Sequence, residues 1–167
     1  MTTVKPGWQG RYYEDFEVAD IYVHPLGRTI TETDNIWFTL LTMNTAAIHF
    51  DSHFAQNTPF KKPLVDSTLT LAIVTGMSVV DVSMNVMANL GWNDVVLPNP
   101  LFNGDTLYAR SEVLSKRESK SRPEVGIVEV KSTGTNQDSV TVIEFKRTVM
   151  VWKRGQGPRL VKNPAHP

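Results

Sequence analysis

The 167-residue chain has no cysteine. That absence alone excludes disulfides, thiolate-held metals and a thiol nucleophile. An excess of either charge is missing too. Seventeen lysines and arginines balance 17 aspartates and glutamates, so no overall field draws the chain to nucleic acid or an anionic membrane, and any cationic site must be local. Long apolar runs are lacking: the most apolar, residues 69–80, falls well short of the roughly 20 residues that cross a bilayer. The opening residues, MTTVKPGWQGRYYEDF, hold no apolar segment of the secretory type, and the expectation is a cytoplasmic protein that engages neither membrane nor nucleic acid. Histidine is scarce. His24, His49, His53 and His166 show no spacing that makes a ligand set, so no metal is expected, and His49 and His53 share a face only if the chain between them is helical.

What is present is ordinary globular composition, 41% hydrophobic and 20% charged, in a length that suits a single domain over residues 1–167. Residues 1–28 mix Trp8, Tyr12, Tyr13, Phe16 and Tyr22 with glycine and proline, which predicts an irregular N-terminal arm that packs and ends in a short strand. TETD at 31–34 offers hydroxyl caps, and Ile36, Trp37, Leu40 and Leu41 recur at helical spacing. These predict a helix of about three turns ending near Asn44, a residue type that tolerates the left-handed backbone of a helix end. Residues 51–62, with Pro59 and Pro63 as breakers, predict a short helix or turn and then a loop.

From Ser67 the run STLTLAIVTGMSVVD carries no charge between Asp66 and Asp81, which predicts a central helix over 67–80, buried on every side. After Pro98 and Pro100 the period changes to two. Residues 106–113, 127–131 and 140–152 alternate, with Ile143, Phe145, Val149 and Val151 on one face, and the polar stretches between them fit the turns of an antiparallel meander over 106–152. A buried central helix with a long antiparallel sheet has few compact solutions, and the one in which the sheet wraps the helix is an α+β hotdog domain. Its unpaired edge strand leads to the expectation of a homodimer with one sheet continuous across two chains, open to higher assembly.

TETD, the apolar helix, Asn44 to His49, then PLVDSTLT at 63–70 and PLFNGDTL at 100–107 together resemble the MaoC-like (R)-specific enoyl-CoA hydratases along nearly the whole chain. NTAAIHFD, PLVDSTLTL, Asn89-Leu90-Gly91-Trp92 and KRESKSRP at 116–123 look most like the branch of mesaconyl-CoA hydratases, also described as beta-methylmalyl-CoA dehydratases. The resemblance implies a lyase that hydrates or dehydrates a short trans-2-enoyl thioester, branched or dicarboxylic, with coenzyme A as part of the substrate and no separate cofactor. The family motif D-x-N-P-x-H places its His on His49, its Asp on Asn44, and its Asn and Pro on Ala46 and Ala47.

An amide cannot titrate, so this pattern leaves His49 to take and return the proton, with Asn44 positioning water. The resemblance also implies an oxyanion donor near Ser67 at the start of the central helix, with Asp66 beside it as the helix cap. It puts Trp92 and Phe102 near the acyl group, although core packing is the plainer reading of both. Lys116, Arg117, Lys120 and Arg122 could meet the coenzyme A phosphates, or form a solvated turn. Two other readings stay open: a hotdog acyl-CoA thioesterase with Asp51 or Asp66 as base or nucleophile, and a non-catalytic acyl-CoA-binding partner or regulatory subunit that kept the groove but lost the acidic residue.

Overall fold

Side-chain caps from Thr31, Asp51 and Asp66 and alternating strands set the element order along the chain. In the computed structural model, which describes Thr3, Lys5 and residues 7–158, a 3-10 turn at Tyr13–Asp15 leads into β1 (Ile21–Val23), β2 (Arg28–Thr29) and α1 (Glu32–Thr42). A second 3-10 turn at Ala47–His49 precedes α2 (Ser52–Gln56) and α3 (Ser67–Met77); then follow a π-helical turn (Val79–Ser83), β3 (Val86–Val96), β4 (Thr106–Glu118), β5 (Val125–Thr135) and β6 (Thr141–Trp152). His166, named above, lies outside the described residues. No helix among the described residues is long and apolar enough to cross a membrane.

The sheet runs β1-β4-β5-β6-β3, with every recorded pairing antiparallel and β2 joined to the start of β4. Its inner face carries the expected alternation: Ile143, Phe145, Val149 and Val151 are all buried. The α3 helix lies on that face, its Val74 packed with Ile30, Leu107, Ile143 and Phe145. A Cβ at Gly134 of β5 would stand 2.8 Å from both Val74 and Ile143, so glycine there lets the helix seat directly on the strand backbone. This is the hotdog arrangement, an antiparallel sheet around a central helix. The arm supplies Tyr13 and Phe16 to a second apolar cluster with Val113, Val128, Val130 and Val149.

Three expectations need correction. The central helix is not buried on every side: it ends at Met77, and Thr68, Ala72 and Gly76 form an exposed stripe along it, because a single sheet covers only one side of a cylinder. The left-handed residue after α1 is Met43 (φ 57°), not Asn44. The N–H groups of Met43 and Asn44 return to the carbonyls of Leu40 and Thr39, a Schellman closure that puts the left-handed residue one place earlier. The meander also has a strand more than 106–152 contains. β3, at residues 86–96, pairs with β6 through three register shifts, and its exposed, irregular pattern explains why no alternation marks it.

Candidate active site

Helix α1 turns its polar side inward at the place where the chemistry-bearing loop passes. Asn35 and Thr39 are buried, while Trp37, Leu40 and Leu41 on the other side are exposed. Asn35 is fully buried and makes three hydrogen bonds of 2.8 Å: its amide donates to the carbonyls of His49 and Leu64, and its Oδ1 accepts from the N–H of Asp66. One side chain thus ties α1 to the His49 turn and to the start of α3. An orphaned amide at such a depth would be costly, so these bonds hold the loop in one place.

His49 ends the Ala47–His49 turn, and its Nδ1 lies 3.0 Å from the Leu64 carbonyl oxygen. A carbonyl only accepts, so Nδ1 carries the proton and Nε2 presents a lone pair. That is the tautomer a general base needs. Asn44 sits on the far side of the same loop. Its Oδ1 accepts from the Ala46 N–H at 3.0 Å and its Nδ2 donates to Asp66 Oδ2 at 2.5 Å. One amide N–H remains to donate to a water, and no hydrogen bond joins Asn44 to His49 among the described residues.

Asp66, only 2% exposed, caps α3. Its Oδ1 accepts from the N–H groups of Thr68 and Leu69 and from the Thr68 hydroxyl. Burial pushes its pKa up, but the Thr68 hydroxyl, the Asn44 amide and the two backbone donors more than offset this and hold it below the usual carboxylate range. The carboxylate is therefore ionised and fully engaged. Ser67, the first residue of α3, keeps an N–H outside this cap and lines a hollow of about 310 Å³ with Phe60, Leu64, Thr70, Asn99 and Leu101. A second hollow of about 390 Å³ is walled by Ile36, Leu40, Met43, Asn44 and Phe50.

Asn35 and the Asn44–Asp66 bond thus tie His49, Asn44, Asp66 and the Ser67 start of α3 to one junction, with His49 lining neither hollow; the other candidate residues lie elsewhere. Trp92 donates to the Thr75 hydroxyl at 3.3 Å, eight residues along α3 from Ser67 and so about 12 Å away by helical rise. Neither Trp92 nor Phe102 lines either hollow. Arg117 lies at the end of β4, and Lys120 and Arg122 follow in the β4–β5 turn, whereas Ser67 lies by the opposite end of β4, where Leu64 bridges Phe102 and Ile30 meets Asp105. A 13-residue strand separates the two ends by about 40 Å. Arg122 pairs with Glu124, and Lys116 with the Phe16 carbonyl and Glu17. Asp51 caps α2 by accepting from the Phe54 N–H. His53 belongs to α2 and His49 to the preceding turn, so the two share no helix.

Sequence reasoning missed Asn35, whose one signal was an amide at the start of the apolar run of α1. It also missed a buried polar chain: Arg11 pairs with Asp81, Asp81 with His24 Nδ1 at 3.0 Å, and His24 Nε2 with Ser111, which meets Ser132. His24 is 4% exposed, and this chain locks the arm to the turn after α3 and to β4, away from both hollows.

A family model described as MaoC like domain matches residues 17–136. The chain is 38% identical over 145 residues to the beta-methylmalyl-CoA dehydratase of Chloroflexus aurantiacus, covering 87% of this chain and 41% of that protein. It is 32% identical over the same length to the mesaconyl-CoA hydratase of Cereibacter sphaeroides, of which it covers 42%. The crystal structure of a MaoC domain protein dehydratase from C. aurantiacus superposes with a TM-score of 0.86 at 35% identity, over 98% of this chain and 47% of that one. The chain therefore spans about two fifths of the length of the curated relatives it matches.

Proposed function

The chain belongs to the MaoC-like domain family, and from that membership we propose that it hydrates and dehydrates a short trans-2-enoyl-CoA thioester, branched or dicarboxylic, with (R) stereochemistry. The two relatives named above are called after beta-methylmalyl-CoA and mesaconyl-CoA, which motivates the substrate class. The observation that carries the reading is the His49 tautomer: Nδ1–H is anchored on the carbonyl of Leu64, a residue that lines the Ser67 hollow, and Nε2 is left to act as base.

In the forward direction Nε2 takes a proton from water as the water oxygen bonds to Cβ. The π electrons move to Cα and the thioester carbonyl, whose developing negative charge meets the Ser67 N–H at the positive end of α3. Nε2–H then delivers its proton to Cα, so water adds across the double bond with no electron transfer and no cofactor required. One imidazole serving both steps favours addition from one face. Asn44 donates its free N–H to the water oxygen, which orients the nucleophile but cannot deprotonate it.

A thioesterase reading would need Asp51 or Asp66 as base or nucleophile, and both carboxylates are engaged as helix caps. We further propose a homodimer through β3, an edge strand with Leu90, Trp92, Val95 and Val96 exposed. To test the function, (R)- and (S)-3-hydroxybutyryl-CoA are incubated with the protein while enoyl absorbance and free thiol are followed together. Enoyl product from the (R) isomer alone, without thiol, fits the proposal. Thiol release would replace it with hydrolysis, and binding without product would move the chain to a carrier or regulatory role.

A further inference from the structure

The hollow beside Ser67 is small and mostly apolar, suited to a short acyl group. Its wall includes Phe60 and Leu64, and between them in sequence stand two lysines, Lys61 and Lys62. Lys61 takes a left-handed backbone (φ 64°), which turns the chain sharply before Lys62. The Lys62 ammonium lies 4.0 Å from the centroid of the Phe102 ring, and Phe102 in turn forms a bridge with Leu64. The aromatic face thus holds a flexible cation at the edge of the pocket wall.

This cation differs from four other lysines of the chain. Lys116, Lys131, Lys146 and Lys153 each pair with a carboxylate. Lys62 makes no ion pair among the described residues. An ammonium held on an aromatic face with no acidic partner among the described residues, close in sequence to the wall of an apolar hollow, is arranged to receive an anion supplied by something else.

Accepting the proposed function, two parts of the substrate are anionic: the phosphates of coenzyme A and any free carboxylate on the acyl chain. The phosphates lie the whole pantetheine arm away from the thioester. Lys62 lies only five residues from Ser67, at most about 17 Å of extended chain, and a lysine side chain shortens the remaining gap. We infer that Lys62 is the specificity-determining residue of the acyl end, and that its ammonium receives the free carboxylate of a dicarboxylic monothioester. The inference rests on the reading of the Ser67 hollow as the acyl site.

The test measures binding by isothermal titration, with every protein, wild type at Lys62 included, carrying His49→Ala so that turnover adds no heat. Wild type, Lys62→Met and Lys62→Arg are each titrated with mesaconyl-CoA and with tigloyl-CoA, the same branched enoyl thioester bearing a methyl in place of the carboxylate. Mesaconyl-pantetheine, which lacks the nucleotide phosphates, forms a third arm. Wild type is expected to prefer mesaconyl-CoA to tigloyl-CoA. Lys62→Met should weaken mesaconyl-CoA and mesaconyl-pantetheine alike by roughly tenfold or more, the size of one lost charge-assisted hydrogen bond, and leave tigloyl-CoA unchanged. Lys62→Arg should recover most of the loss.

An equal loss for both CoA thioesters that vanishes with the pantetheine thioester would assign Lys62 to a phosphate and overturn the inference. So would an unchanged affinity in Lys62→Met, or a wild type that binds neither thioester. Carboxylate-selective binding in a protein that turns neither thioester over would leave the inference standing while removing the hydratase reading.

Discussion

Asn44 Nδ2 lies 2.5 Å from Asp66 Oδ2, so the amide that follows α1 is joined to the carboxylate that caps α3. The two positions act as a pair, and a change at one is felt at the other. Replacing Asn44 by Asp would face two carboxylates across that distance in a buried place. We expect Asn44→Asp to lower stability, and one of the two acids to take up a proton well above the usual carboxylate range. Thermal melts from pH 4 to 8 check this, since the deficit should shrink as the pH falls. A melt for Asn44→Asp equal to wild type at pH 8 would contradict the pairing.

Removing the amide outright has a smaller effect. Asn44→Ala leaves the caps from Thr68 and Leu69 in place and should cost about 1.5–3 kcal/mol of stability, the range for one hydrogen bond to a charged group. If Asn44 also orients water, its rate should fall while the affinity for the thioester stays near wild type. Denaturant titration and initial rates separate the two effects.

Asn35 is the residue whose loss should spread furthest. Its three buried bonds reach His49, Leu64 and Asp66, and Asn35→Leu leaves the His49 carbonyl and the Asp66 N–H without these partners and the Leu64 carbonyl with His49 Nδ1–H alone. The expected loss is roughly 2–5 kcal/mol, with activity lowered as well because the His49 turn and the α3 start lose their common anchor. Urea unfolding of Asn35→Leu beside Thr42→Ala, whose hydroxyl bonds only within α1, provides the comparison.

Acid stability follows from carboxylates held below their usual pKa. Burial raises Asp66, but bonds from Thr68, Asn44 and Leu69 lower it further. Burial likewise raises Asp81, and His24 and Arg11 more than compensate. In the window between the folded value and about 3.9 the unfolded chain binds more protons, so this stability is complete above the unfolded pKa and is lost as the pH falls through the folded one. Between pH 6 and pH 3 the melting temperature should drop less in Asp66→Asn than in wild type. Parallel drops would contradict the shift.

The order of helix, loop, central helix and meander was legible because each rests on local signals: the Thr31 cap, the uncharged run after Asp66 and the alternation of β6. His49 could be named from the resemblance, and its local surroundings then supplied a chemical reason. Asn35 could not be found because helix periodicity assigns the inward side to Trp37, Leu40 and Leu41, whereas here the inward side serves a polar junction. β3 was hidden for a related reason: an edge strand broken by bulges and exposed on most of its length shows no period of two. The basic hairpin at 116–122 was visible as a cluster, but only the length of β4 shows how far it stands from Ser67 within one chain.

The central claim is that His49 moves the proton. The measurement that tests it most directly is the initial loss of conjugated enoyl-thioester absorbance with mesaconyl-CoA and crotonyl-CoA, for wild type and His49→Ala under identical conditions, with folding of both checked by melting. The account predicts turnover of at least one thioester by wild type, and a rate lowered by roughly two to four orders of magnitude in His49→Ala. A folded His49→Ala that keeps the wild-type rate would contradict it.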